Sequence, residues 1–189
     1  MRLFFALPLP AEAKERLRPV LEAARQAGGE GVSFTRLEQL HFTLAFLGEQ
    51  PAAGEAAEAG EILRETRTFE LAISGAGAFP NTARPRVLWL GVNAGAAELV
   101  AAAEGLRGAL RKRGFELEDR PFRPHLTFGR VRPRGERLAK RALAAIAPGE
   151  FARWPAGEAL LMRSVLGRGG ATHTVERAFP FAPEGAAQG

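Results

Sequence analysis

The chain has 189 residues, of which 46% are hydrophobic and 25% are charged, and it contains no cysteine. This composition is typical of a globular protein that buries a core without crosslinks, and it excludes disulfide frameworks, thiolate zinc sites and cysteine nucleophiles. The formal net charge is +5, and no apolar run approaches the length of about 18 residues that a membrane helix needs.

Hydrophobic periodicity predicts strands and helices that alternate along the chain. Strands are predicted over 2–7, 32–35, 40–47, 69–79, 87–92, 125–131, 150–154, 158–165 and 172–179, and helices over 11–27, 52–66, 96–113 and 135–147. The apolar start is predicted to be a buried strand and not a signal peptide, because Pro8 and Pro10 interrupt it. We therefore expect a cytoplasmic protein. A turn is predicted at Gly169-Gly170, and a loose tail is predicted over 183–189.

The order strand, helix, strand, helix, strand occurs in residues 2–79 and again in 87–154, which indicates an approximate internal duplication. We predict one α+β domain over residues 1–189, with repeat halves of about 1–80 and 85–155 and further strands over 158–180. Two similar lobes related by a pseudo-twofold axis would carry antiparallel-rich sheets with outer helices and would enclose a central cleft.

The positive charge lies mainly in one segment, because residues 107–141 carry 12 cations and 4 anions. Arginine supplies 23 of the 26 cations of the whole chain, and its guanidinium fork suits bidentate contacts with phosphate. Genomic base composition or thermal adaptation explains the arginine content as a whole. The local surplus favours an anionic partner such as a nucleic acid.

Two of the three histidines share one sequence setting. His41 and His125 are each followed two positions later by a threonine, Thr43 and Thr127, at equivalent places in the two half-chains. Residues i and i+2 of a strand project from one face, about 6 to 7 Å apart, so each motif presents an imidazole and a hydroxyl together. We expect both pairs to meet in one cleft.

The apolar residues that alternate with these side chains are predicted to anchor each strand in its core. They are Phe42, Leu44 and Phe46 in the first strand and Leu126 and Phe128 in the second. Arg130 also falls on the face opposite His125 in an ideal strand, so its use at a phosphate would need a bulge or a strand end.

Two imidazoles with a pKa near 6.5 can divide proton transfer between a general base and a general acid. The threonine hydroxyls can hold phosphoryl oxygens and share their negative charge. Two histidines without further ligands do not make a metal site, so neither a metal nor another cofactor is expected. His173 has no threonine two residues on and is expected to be an ordinary strand or loop residue.

With both motifs identified, the chain resembles the two-histidine phosphoesterase superfamily, whose signature is a duplicated His-hydrophobic-Thr-hydrophobic. Within it, the chain is most similar to the bacterial and archaeal 2′-5′ RNA ligase family, regarded as RNA 2′,3′-cyclic phosphodiesterases. The resemblance is carried by residues 2–6, 41–48, 85–92, 122–130 and 161–166. The family often has Tyr where His173 falls, and this chain contains no Tyr.

The resemblance implies metal-independent hydrolysis of a terminal RNA 2′,3′-cyclic phosphate to a 2′-phosphate, with reversible 2′-5′ ligation as a second activity. His41 and His125 would be the acid-base pair, with His125 as base and His41 as acid, and Thr43 and Thr127 would bind the phosphate. The candidate substrate-binding residues are Arg130 and Arg123. The partner would be an RNA or oligonucleotide with a cyclic phosphate end, and a monomer is favoured.

Two alternatives remain open at this point. A non-catalytic RNA-binding module could use its arginine-rich cleft as a backbone clamp, which predicts salt-sensitive binding without any change in the RNA ends. A ligase or a cyclic-nucleotide esterase on the same scaffold would use the same acid-base pair on a different ester.

Overall fold

The computed structural model describes residues 1–167 and 170–185. In this part of the chain, nine strands and four α-helices form. The strands are β1 (Arg2–Pro8), β2 (Val32–Phe34), β3 (His41–Glu49), β4 (Phe69–Phe79), β5 (Val87–Ala94), β6 (Leu126–Val131), β7 (Glu150–Ala156), β8 (Glu158–Gly167) and β9 (Gly170–Pro180). The helices are α1 (Ala11–Gly28), α2 (Gly54–Gly60), α3 (Ala96–Lys112) and α4 (Glu136–Ala144).

Most predicted elements match these bounds closely. The predicted helix over 52–66 is shorter, since α2 stops at Gly60 and continues as a 3-10 helix over Glu61–Glu65. A Cβ atom at Gly60 would lie 2.5 Å from the Phe179 ring, so the chain needs glycine for this close approach. Gly169 of the predicted turn and the last four residues of the predicted tail lie outside the described residues.

The fold is α+β and contains two antiparallel sheets. The first sheet has the strand order β3-β1-β8-β9, and the second has the order β2-β6-β5-β4-β7. Helices α2 and α3 pack near the first sheet, while α1 and α4 pack together and α1 covers β7 of the second. None of the helices in the described ranges is long and apolar enough to cross a membrane.

Neither sheet is built from one half of the sequence. β2 and β4 belong to the first predicted half but lie in the second sheet, and the C-terminal strands β8 and β9 complete the first sheet. β3 is the edge strand of its sheet, and β6 of the other sheet comes close to it. The two strands that carry the histidine motifs, β3 and β6, are therefore neighbours where the sheets meet.

Candidate active site

A β-bulge reverses the side-chain alternation of β3 just after its motif. Against β1, Thr43 pairs with Ala6 and Ala45 pairs with Phe5, which leaves Leu44 as the extra residue. Leu44 and Ala45 are consequently both buried. Because one inserted residue flips every later side chain to the other face, position 46 turns toward the same side as Thr43.

The second motif strand carries the same irregularity at the same place. Against β5, Thr127 pairs with Trp89 and Gly129 pairs with Leu88, which leaves Phe128 as the extra residue. In both motifs the extra residue is the third after the histidine. The bulge that Arg130 needed is therefore present, and its side chain turns to the face of Thr127.

The prediction that Phe46 anchors the core is wrong. Its side chain is 48% exposed, whereas Phe42, Leu44, Leu126 and Phe128 are buried as predicted. The physical reason is the bulge at Leu44, which an alternation pattern read from the sequence alone does not include.

One cavity of about 360 Å³ lies between the two motif strands. Its lining includes His41 and Thr43 from β3 and Thr127 and Arg130 from β6. The neighbouring strands of the first sheet add Arg2, Phe4, Ser164, Leu166 and His173. The cavity thus brings together three of the four predicted motif residues and one of the two predicted arginines.

His125 and Arg123 are not among the residues that line this cavity. His125 is half-buried immediately before β6, two residues before Thr127, and its ring meets Phe79 edge to face at a centroid distance of 4.9 Å. The Arg123 side chain is exposed, and this residue contributes its backbone carbonyl to the site.

Both motif imidazoles are oriented by the same hydrogen bond. His41 Nδ1 lies 2.7 Å from the carbonyl oxygen of Gln39, and His125 Nδ1 lies 2.6 Å from the carbonyl oxygen of Arg123. Since a carbonyl oxygen only accepts, Nδ1–H is the donor in each ring. In the neutral imidazole, Nε2 is then left with its lone pair for a substrate or a water.

His41 is held by contacts that carry no sequence signal. The side-chain amide of Gln39 donates to the carbonyl oxygen of Ala171, which ties the residues before β3 to β9. The His41 ring lies 5.1 Å from the Phe4 ring and 5.5 Å from the His173 ring, measured between centroids. His173, expected to be an ordinary residue, therefore lies beside the first motif histidine.

The irregular segment before His125 is anchored by an ion pair on α3 of which the arginine is buried. Arg107 is buried, lies 3.2 Å from Glu104, and donates to the carbonyl oxygen of Arg120 at 2.8 Å. Glu104 in turn accepts the backbone N–H of Phe122 at 3.0 Å. These bonds fix the backbone three residues ahead of His125, and nothing in the local sequence marks Arg107 for that task.

Burial lowers the pKa of each histidine in the site. For His41 the pKa falls to about 4, chiefly through burial, with further lowering by the nearby His173 and Lys14 and an opposing effect of the bond to Gln39. Burial also lowers the pKa of His125, helped by Arg130, and the pKa of His173. Neutral imidazoles are thus favoured at pH 7 in the free protein.

Within residues 1–167 and 170–185, no group of three or more His, Asp or Glu side chains is placed to hold a metal ion. The cavity offers one oriented imidazole, two hydroxyls and a guanidinium, and the second oriented imidazole, His125, lies two residues before Thr127. Such a set can move protons and bind an anion.

Both the sequence and the fold match known proteins. The sequence profile of the family described as "LigT like Phosphoesterase" matches twice, over residues 7–89 and 90–173, so that each match contains one histidine motif. An RNA 2′,3′-cyclic phosphodiesterase of Archaeoglobus fulgidus is 38% identical over 143 residues, which cover 74% of this chain and 77% of that protein.

Two further relatives match nearly the whole chain. An RNA 2′,3′-cyclic phosphodiesterase of Methanothermobacter thermautotrophicus is 32% identical over 183 residues, covering 92% of this chain and 95% of that protein. The crystal structure of TT0787 of Thermus thermophilus superposes with a TM-score of 0.80 at 31% identity, covering 97% of this chain and 100% of that one.

Proposed function

Because this chain belongs to the LigT-like phosphoesterase family, we propose that it hydrolyses the terminal 2′,3′-cyclic phosphate of RNA and leaves a 2′-phosphate. The chain is an enzyme of the cyclic phosphodiesterase class, as its relatives are. The observation that carries the finer proposal is the opening of Thr43 and Thr127, one from each sheet, into a single cavity that His41 also lines.

The cavity binds the cyclic phosphate through both hydroxyls and one cation. Thr43 and Thr127 donate to the two non-bridging oxygens, and Arg130 neutralises the charge that grows on them as water attacks. These donors are fixed on strands before the substrate arrives, so they need no reorganisation during the reaction.

We assign the roles of the two histidines from their environments, and this assignment is the reverse of the sequence-based expectation. Burial lowers the pKa of His41 to about 4. This imidazole is therefore neutral at pH 7 and can act as the base. A bound phosphate anion raises the pKa of an imidazole near it, and because burial lowers the pKa of His41 to about 4, that ring needs the larger increase before it is protonated. His125 is less enclosed than His41 and is assigned as the group that is protonated in the complex and acts as acid.

In the hydrolytic step, His41 Nε2 takes a proton from water while the water oxygen forms a bond to phosphorus. The bond from phosphorus to the 3′ oxygen breaks in line, and His125 Nε2–H gives its proton to that oxygen. The 2′ ester survives. Each Nδ1–H stays bonded to its carbonyl, at Gln39 and Arg123 respectively, and stabilises a charge on the ring.

Reversible 2′-5′ ligation uses the same groups with a 5′-hydroxyl of RNA in place of water. The alternative of a non-catalytic arginine clamp has no support in the comparisons, and it does not account for two identically oriented imidazoles. The proposal includes a monomer that acts on RNA in the cytoplasm.

The test of this function is an analysis of the ends of the product. An oligonucleotide with a 2′,3′-cyclic phosphate is incubated with the protein in the presence of a chelator, and the phosphate position is read by its sensitivity to enzymes specific for 3′-phosphates. We expect a 2′-phosphate. A 3′-phosphate would overturn the assigned leaving group, and an unchanged end would overturn the proposed activity.

The threonines give a graded prediction. Thr43→Val and Thr127→Val each remove one donor to a phosphate oxygen at nearly constant volume, and a hydrogen bond to a charged group contributes about 1.5 to 3 kcal/mol. We therefore expect kcat/KM to fall about 10- to 100-fold in each variant. Thr43→Ser and Thr127→Ser should retain most activity, and Thr174→Val, exposed on β9 outside the cavity lining, is the matched control. Equal rates for the valine and serine variants would contradict phosphate binding by these hydroxyls.

A further inference from the structure

An aromatic ledge lies on the second sheet beside His125 and outside the lining of the cavity. It consists of Phe79 on β4 and Trp89 on β5, whose ring centroids are 5.4 Å apart. The Phe79 ring in turn meets the His125 ring edge to face at 4.9 Å. The ledge is therefore continuous with the imidazole that is assigned as the acid.

Strand pairing places the ledge on the face of the sheet that carries the second motif. Trp89 is paired with Thr127 on one side and with Gly77 on the other. Residues that are directly paired in an antiparallel sheet project from the same face, and Thr127 lines the cavity. Leu88 and Leu90, which alternate with Trp89, are fully buried. Trp89 thus belongs to the substrate-facing side of the sheet.

The indole of Trp89 lies flat over the neighbouring strand β4. A Cβ atom at Gly77 would lie 2.4 Å from both Cη2 and Cζ2 of the indole and 2.9 Å from Cε2. Because Cε2 is set back from the other two atoms within the ring, these distances describe a point above the face of the ring and not beyond its edge. The sheet therefore covers one face of the half-buried indole, and the opposite face is turned away from the sheet.

Packing does not account for an indole at this position. Trp89 Nε1 is buried and has no hydrogen-bond partner within residues 1–167 and 170–185. A buried donor without an acceptor is unfavourable, and a phenylalanine would fill the space over Gly77 without leaving one. What the indole adds is a wider aromatic face.

The surroundings of the ledge suit a nucleobase that is linked to a phosphate. Base–aromatic stacking needs a flat, open π-face. Arg123, two residues before His125, has an exposed side chain that makes no ion pair in the described part of the chain. Its charge is therefore available to a phosphodiester.

The cavity and the ledge hold different nucleotides. The cavity volume of about 360 Å³ lies at the small end of the range of roughly 300 to 1,000 Å³ for small-molecule sites and suits one nucleotide with its cyclic phosphate. A base on the ledge then belongs to a neighbouring nucleotide. Since the cyclic phosphate closes the 2′ and 3′ oxygens of the terminal ribose, the only covalent neighbour is on the 5′ side.

We propose that the aromatic ledge of Phe79 and Trp89 is a second nucleotide subsite, which stacks the base on the 5′ side of the terminal nucleotide. The inference rests on the proposed function for the identity of the substrate. The enzyme distinguishes an RNA end from a free mononucleoside 2′,3′-cyclic phosphate, because only the RNA end supplies a base to the ledge. The identity of that base matters little, since every base has a π-face.

Two substrates that differ by one nucleotide test the subsite. Cytidine 2′,3′-cyclic phosphate and the dinucleotide ApC with a terminal 2′,3′-cyclic phosphate are compared by kcat/KM. We expect the wild type to favour the dinucleotide about 10- to 100-fold, the usual scale for one base stack. Trp89→Leu should reduce this preference to less than about threefold and leave kcat/KM for the mononucleotide within about twofold, because the mononucleotide does not reach the ledge. Trp89→Phe should retain most of the preference.

A change in the substrate makes the same test without altering the protein. A dinucleotide whose 5′ nucleoside lacks its base keeps the phosphodiester and loses the stack. The wild type should lose most of its preference with this substrate, and Trp89→Leu should process the intact and the abasic dinucleotide at similar rates. Equal kcat/KM for the two dinucleotides in the wild type would overturn the subsite, whether or not Trp89→Leu folds.

Binding without turnover separates the subsite from the proposed function. The dinucleotide ApC with a terminal 2′-phosphate is titrated into the protein, and tryptophan fluorescence is recorded, since a base stacked on an indole quenches its emission. The other tryptophan, Trp154, is buried on β7, so Trp154→Phe is the matched control and should retain the quenching that Trp89→Phe loses. No quenching in the wild type, or quenching that depends on Trp154 alone, would overturn the subsite. Quenching through Trp89 in a protein that leaves cyclic phosphate ends intact would overturn the proposed function and leave the subsite standing.

Discussion

Replacing His41 or His125 with alanine is expected to lower kcat about 10²- to 10⁴-fold, the usual scale for loss of a general acid or base. Each imidazole moves one proton in the same step, and the bond from Nδ1 to a backbone carbonyl leaves only Nε2 available for that proton. The measurement is single-turnover cleavage of an oligonucleotide with a 2′,3′-cyclic phosphate. Loss in the double variant should be smaller than the product of the two single losses, because the residues act as a unit.

A second substrate separates the base from the acid. A diester with a 4-nitrophenolate leaving group needs no proton from the enzyme, since that anion departs unprotonated at neutral pH. With this substrate, His125→Ala should recover most of its lost rate, whereas His41→Ala should remain slow. Recovery by His41→Ala alone would reverse the assignment.

Normal turnover of the RNA substrate by either alanine variant would contradict the two-histidine mechanism. Circular dichroism and thermal unfolding of each variant serve as controls for folding. His41 requires this control most, because its ring packs on Phe4 and beside His173, so that its loss leaves a gap among aromatic rings.

The elements and the duplicated motif could be predicted because their signals are local. The apolar spacing of Leu17, Leu21 and Ala24 predicts α1, and the same residues are buried in the structure. A histidine followed two positions later by threonine likewise needs only the period of a strand. Predictions of this kind depend only on residues a few positions apart, and the sequence shows the spacing of such residues directly.

The orientation of Phe46 could not be predicted in the same way. It depends on how β3 pairs with β1, and the bulge at Leu44 exists only in that pairing. The position of Arg130 depends equally on the pairing of β6 with β5. A hydrophobic pattern along one strand does not show which of its residues lacks a pairing partner in the neighbouring strand.

The neighbours of the histidines are also a product of tertiary structure. His173 lies on β9, which β8 and β1 separate from β3 in the same sheet, so no pattern along either strand indicates that its ring lies beside that of His41. Both motif histidines have the same reference pKa, so their order as base and acid depends on burial, which the sequence does not give. The position of α3 also depends on tertiary structure, because this helix belongs to the second half of the chain but packs near β3 of the first sheet.

The free energy of unfolding should decrease as the pH falls from about 6.5 to about 4, and His41 should account for much of that decrease. In the folded protein the pKa of His41 is about 4, below its ordinary value of 6.5. The unfolded chain therefore binds a proton at this residue at a higher pH than the folded chain does. By linkage, acid then favours unfolding across this window.

The size of the effect follows from the difference in pKa. One pKa unit corresponds to about 1.4 kcal/mol, so a shift from 6.5 to about 4 gives a loss on the order of 3 kcal/mol between pH 7 and pH 4. His125 and His173 add to this loss, since burial lowers their pKa values as well. Lys14 belongs to the same balance, because its charge disfavours a proton on His41.

The measurement is urea unfolding of the wild type and of His41→Gln at pH 7, 6, 5 and 4. Glutamine keeps an N–H that can reach the carbonyl of Gln39 but takes up no proton, so the variant should lose on the order of 3 kcal/mol less than the wild type over this range. The carboxylates are common to both proteins, and their contribution cancels in the difference between the two curves. If the curves for wild type and variant run parallel from pH 7 to pH 4, His41 is not held neutral by burial, and its assignment as the base loses its physical ground.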